Sequence, residues 1–143
     1  MDCCLEMMPR FRYYRLYDIV LITVLGLAAK FYPGPGRAWV NDAFGGIPYE
    51  IFWILLVGWL LPRAQPMAIA IAIFLVTCGL EFAQLYQPAW LQGIRATLLG
   101  RLGLGNTFSW QDFPYYGVSA VLGWWWLRWH QRKHIALVRQ VRT

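Results

Sequence analysis

MAIAIAIFLVTCGLEFAQLY, residues 67–86, is the stretch on which the fold turns. Fourteen residues pass without a charge before Glu81. At 1.5 Å per residue, its twenty residues make a helix of about 30 Å, the thickness of a bilayer's hydrocarbon core. A helix on the surface of a water-soluble domain carries a polar stripe. This one has none until its last turn and a half, and Pro88 follows it.

Three flanking runs repeat the pattern. Residues 17–32 carry no charge between Asp18 and Lys30 and end at Pro33-Gly34-Pro35-Gly36. Residues 47–61 open with Pro48 and Glu50, both favourable in a first helical turn, and stop at Pro62. Residues 114–129 follow Asp112, which is placed to cap them. The first run has the basic leader of a signal peptide, but Asp18 and Lys30 fit that pattern poorly. The sequence therefore predicts one all-α membrane domain over 1–143, a bundle of four transmembrane helices. Between the third and fourth, residues 90–102 place Leu91, Ile94, Leu98 and Leu102 on one face. That suits a short interfacial or re-entrant helix.

Composition agrees. Apolar and aromatic residues make up 59% of the 143, and charged residues 14%, against about 25% charged in ordinary soluble domains. A net charge of +6 raises nucleic acid as a partner, but the excess sits at the chain ends and not on one soluble face. Of the Lys and Arg residues, nine flank the runs on the side shared by both termini and four lie on the other. The positive-inside rule then puts both termini in the cytoplasm. Trp110, Tyr115 and Tyr116 at one end of the fourth run, and Trp124, Trp125, Trp126 and Trp129 at the other, suit headgroup-level aromatic belts.

On this topology the non-cytoplasmic side collects Lys30, Arg37, Asn41, Asp42, Glu50, Glu81, Gln84, Arg95, Arg101 and Asp112. Ionisable groups near membrane depth are costly unless paired or hydrated, and they commonly mark a site. Glu81 and Gln84, three apart, share a helix face. An unpaired carboxylate there tends to take up a proton, and a partner such as Arg95 keeps it ionised. The same pair serves equally to pin one helix to another. Glu50 and Asp112 also read simply as complements to helix termini, and Lys30 as a snorkelling cation.

Catalytic and metal signatures are weak. His130 and His134 are four apart in a basic tail that reads as solvated, with no third ligand nearby. The serines form no nucleophile elbow. Cys3, Cys4 and Cys78 imply neither a disulfide framework nor a metal. No cofactor is expected.

The order Glu81-Phe82-Ala83-Gln84-Leu85-Tyr86, Pro88-Ala89-Trp90-Leu91, Ile94-Arg95-Ala96-Thr97, Gly105, Phe108, Trp110-Gln111-Asp112 and Tyr116-Gly117 resembles a bacterial family of small multi-pass membrane proteins classed as a domain of unknown function. Asn41-Asp42, Gly45 and Tyr49 match its first polar segment. That family is similar in pattern to the VanZ-like proteins, which are linked to reduced sensitivity to a glycopeptide antibiotic. The resemblance spans roughly residues 16–129. It implies a bacterial plasma-membrane protein of the cell envelope, with Asp42, Glu81, Gln84, Arg95 and Asp112 as the shared site. Tyr116-Gly117 departs from the VanZ-like pattern, where an Asn is usual. From these residues we expect a binder of a membrane lipid or lipid-linked glycan headgroup, with Lys30, Arg37 and Arg101 adding positive field. A structural or assembly subunit is the alternative. An enzyme acting on a lipid-linked substrate through Glu81 or Asp112 is the third reading.

Overall fold

The computed structural model describes residues 3–41, 45–97, 99–100 and 108–141. These residues are helical with no strands. The helices are α1 (Cys3–Lys30), α2 (Arg37–Trp39), α3 (Gly45–Leu60), α4 (Pro66–Ala83), α5 (Ala89–Arg95) and α6 (Asp112–Val141).

The turns are built where Pro and Gly demand them. Gly36 adopts φ 73°, a left-handed conformation that glycine enters without a Cβ clash, and α2 starts immediately after it. Gln65 caps α4 in an extended conformation, with Pro66 at the first helical position, where a missing N–H costs nothing.

Four expected boundaries shift. α1 starts at Cys3, well before the expected residue 17. α4 ends at Ala83, not Tyr86, because the chain turns towards Pro88. α5 ends at Arg95 and does not run through 90–102. There the Thr97 hydroxyl donates to the Ile94 carbonyl at 2.7 Å, and the Gly100 N–H donates to Thr97 Oγ1 at 3.0 Å, so a side chain takes over from the helical ladder. Leu98 and residues 101–102 of that expectation lie outside the described residues. α6 runs on to Val141, past the expected end at 129, because no Gly or Pro interrupts residues 130–141.

α3 packs against α1, α4 and α6, and α4 also packs against α6. The shared core is Ile19 and Ile22 of α1, Ile51, Ile54 and Leu55 of α3, Ile69 and Ala70 of α4, and Leu127 of α6. Glycines let α3 and α6 approach closely. A Cβ on Gly123 would stand 2.7 Å from Ile54 Cδ1, and one on Gly58 would stand 2.6 Å from Leu127 Cδ2.

The distribution of polarity is reversed from that of a soluble domain. Glu50, Thr77, Glu81, Gln84, Arg95 and Ser119 are buried, while Leu75 (62% exposed), Val121 (61%) and Val24 (57%) face outward. The intrahelical hydroxyls of Thr23 and Ser119 donate back to the carbonyls of Ile19 (2.7 Å) and Tyr115 (2.6 Å). This masks their polarity within their own helices. α4 is long and apolar enough to cross a membrane, and only 22% of it is buried inside the fold.

Candidate functional site

The polar residues gather where α4 ends. Glu81, in its last turn, is 1% exposed. Its Oε1 accepts the Ser109 backbone N–H at 2.7 Å. Its Oε2 accepts the Tyr116 hydroxyl at 3.0 Å and the Gln84 side-chain amide at 3.2 Å. Gln84 sits one turn on because residues three apart share a helix face. Tyr116 arrives from the second turn of α6, and Ser109 from the segment leading into that helix. Hydrogen bonds to a carboxylate are the strong kind; the one from Tyr116 ties α4 to α6, the one from Ser109 ties α4 to the segment before α6, and the one from Gln84 closes the end of α4.

Arg95 does not pair with Glu81. From the end of α5, its guanidinium donates through Nη1 to the Tyr86 carbonyl at 3.2 Å and through Nη2 to the Ala83 carbonyl at 3.1 Å. These acceptors flank Gln84 at the C-terminal end of α4, where unpaired carbonyls carry partial negative charge. Arg95 is 5% exposed. It caps a helix where the sequence expected an ion pair. Two buried atoms beside this clamp have no hydrogen-bond partner: Gln84 Oε1 and Arg95 Nε.

Asp112 stands in the first turn of α6 itself and not ahead of it, where a carboxylate complements the helix N-terminus. It lies within electrostatic reach of the Tyr116 hydroxyl, as do Glu81 and Glu50. Phe82, Phe108, Trp110, Phe113 and Tyr116 form an aromatic cluster around this end, with ring centroids 5.0–6.4 Å apart.

Of the other expected residues, Lys30 is half-buried in the last turn of α1 and Arg37 is exposed in α2. Asn41, with its amide turned to donate, reaches the Ala29 carbonyl at 2.7 Å and the Arg37 carbonyl at 3.2 Å, tying this loop to α1. Asp42 and Arg101 lie outside the described residues. Glu50 is no surface complement to a helix terminus. It is 0% exposed, within electrostatic reach of Thr77 on α4, and neither carboxylate oxygen has a hydrogen-bond partner.

At the opposite end, His130 is not part of a solvated tail. Its Nε2 lies 2.8 Å from Asp18 Oδ2 and 3.0 Å from the Trp126 indole nitrogen. That nitrogen accepts the indole N–H of Trp126, and Asp18 Oδ2 beside it brings α1 against α6. Basic side chains nearby lie over tryptophan rings, with Lys133 Nζ 3.6 Å from the Trp129 centroid and Arg128 Cζ 5.3 Å from that of Trp124.

The sequence did not single out Tyr116 and Ser109 as members of the buried network, and it offered Glu50 as a complement to a helix terminus. Ser109 contributes a backbone N–H, which no side-chain pattern encodes.

Residues 36–120 match the family described as protein of unknown function (DUF2809). The match covers more than half of the chain, and the chain belongs to that family. Glu50, Glu81, Gln84, Arg95, Asp112 and Tyr116 all fall within the matched stretch, whereas Asp18 and His130 fall outside it. No solved structure matches the chain.

Proposed function

We propose that this member of the family is a four-span bacterial plasma-membrane protein that binds a lipid or lipid-linked glycan headgroup at the end of α4. The membrane reading is supported by the reversed polarity of the fold, since monomeric soluble proteins rarely expose apolar surface on this scale. The spans would be the apolar part of α1, α3, α4 and the first half of α6, forming one domain with both termini cytoplasmic. The likeness in residue order to VanZ-like proteins belongs to the same envelope reading.

The headgroup reading is carried by one observation: a buried acceptor, Gln84 Oε1, and a buried donor, Arg95 Nε, stand unpaired on the same helix end. Leaving such groups unsatisfied costs about 1–3 kcal/mol each. A hydroxyl donates to Gln84, and a phosphate or hydroxyl oxygen accepts from Arg95. The site would draw its orientation from the Glu81 network. Lys30, Arg37, Arg101 and Asp42 would complete its rim.

A second reading, in which the cluster only locks helices within an assembly subunit, is favoured by the three intramolecular donors that engage both Glu81 oxygens. An enzymatic role for Glu81 or Asp112 ranks behind both, because the Glu81 oxygens are already engaged. The two main readings separate in the lipids that co-purify with wild type and with Arg95→Lys, which keeps the charge and loses the Nε donor. Headgroup binding predicts a lipid class enriched in wild type and depleted in the variant. Identical lipid profiles with a lowered melting temperature would leave only the helix lock.

A further inference from the structure

Glu50 stands apart from the Glu81 network and takes no part in it. It lies in the second turn of α3, fully buried, with both carboxylate oxygens unpartnered. The groups that face it are oxygen-rich and poor in free protons. From α4, Thr77 lies within side-chain hydrogen-bonding reach of Glu50, and its hydroxyl proton is shared with the carbonyls of Phe74 (2.9 Å) and Ile73 (3.1 Å). A hydroxyl that donates elsewhere presents its lone pairs to its surroundings. From α6, Tyr116 directs its proton to Glu81.

Among the described residues, the titratable neighbours add no positive charge. Cys78 of α4 is within electrostatic reach of both Glu50 and Glu81, and Tyr116 of α6 is within reach of Glu50, Glu81 and Asp112. Tyr49 precedes Glu50 on α3 itself. α1 meets α3 nearby through Gly26 and Pro48. A carboxylate in such an interior is tolerated when a positive charge joins it. Oxygen donors of this kind are what a proton or a hard cation takes.

We propose that Glu50 anchors an exchangeable site for a small cation, a proton or an alkali metal ion, between α3, α4 and α6. The Tyr116–Glu81–Ser109 chain of hydrogen bonds leads from this interior towards the exposed Gln111 and links the site to the outer cluster. The site is separate from the headgroup contacts of Gln84 and Arg95, and it stands whether or not a headgroup binds there.

The test uses the full chain, purified in detergent in choline buffer, with dicyclohexylcarbodiimide as probe and peptide mass spectrometry as readout. A protonated carboxyl gives its proton to a carbodiimide nitrogen while its oxygen bonds the central carbon, so only the protonated acid reacts and an acid holding an alkali ion is protected. Glu50 labelling that falls as pH rises, by up to about tenfold per unit, identifies the proton as occupant. Labelling that falls on adding sodium at fixed pH identifies the alkali ion. A second measurement follows thermal unfolding. Wild type should gain stability as the cation is added, and Glu50→Gln should lose that gain, leaving only the pH response of the other titratable groups. Unfolding of wild type and Glu50→Gln that responds identically to both overturns the proposal, as does labelling indifferent to both.

Discussion

The hydroxyl of Tyr116 reaches Glu81 at 3.0 Å across the interface of α6 and α4. A hydrogen bond to a charged group contributes about 1.5–3 kcal/mol. Tyr116→Phe removes it and keeps the ring among Phe113 and its aromatic neighbours. We expect the variant to fold and to unfold at lower temperature, with a loss of roughly 2 kcal/mol read from thermal or denaturant unfolding in detergent. An unchanged melting temperature would mean that Tyr116 adds nothing to the lock. At this scale the sequence was partly legible. Glu81, Gln84, Arg95 and Asp112 stood out because charged and amide groups are rare in apolar runs, and these four do collect at one helix end. Their partners did not stand out. The helix cap made by Arg95 depends on how the chain turns after Ala83, and the Ser109 contact is made by backbone. Neither leaves a mark in the order of side chains.

Helices were the most legible level. Apolar runs bounded by Pro and Gly marked α3 and α4 to within a few residues, because α4's boundaries are set locally by Pro66 and by the turn towards Pro88. α5 ran shorter than its apolar face implied, since Thr97 bonds back to Ile94 and breaks the ladder. α6 ran longer, because the end of hydrophobicity is not the end of helix propensity. Packing between elements could not be read from periodicity. The approach of α3 to α6 rests on Gly123 lying against Ile54, whose branched Cβ and Cγ2 stand 3.2 and 3.0 Å from where a Cβ would be. Ile is stiff at χ1 and gives way poorly. Gly123→Ala should therefore destabilise by about 1–3 kcal/mol, despite the better helix propensity of alanine. A variant as stable as wild type would show that the two helices separate freely.

For the whole molecule, the inversion of polarity organises everything else. Apolar side chains face outward along α1, α4 and α6, and the carboxylates, amides and hydroxyls turn inward. One end carries the Glu81 cluster, and the other the Asp18–His130 pair with Lys133 and Arg128 over their tryptophans. Under the proposed topology, the nine-to-four bias of Lys and Arg would put the second end in the cytoplasm. The account depends on α4 crossing the lipid, and its flanks can be labelled. Gln65 and Gln87 are both exposed and lie just before and just after α4. In a background lacking native cysteines, Gln65→Cys and Gln87→Cys would be probed in intact cells with a membrane-impermeant maleimide. The account predicts that the cysteine at 87 reacts from outside, while the one at 65 reacts only after the membrane is opened. Equal reactivity of the two sites in intact cells would contradict it.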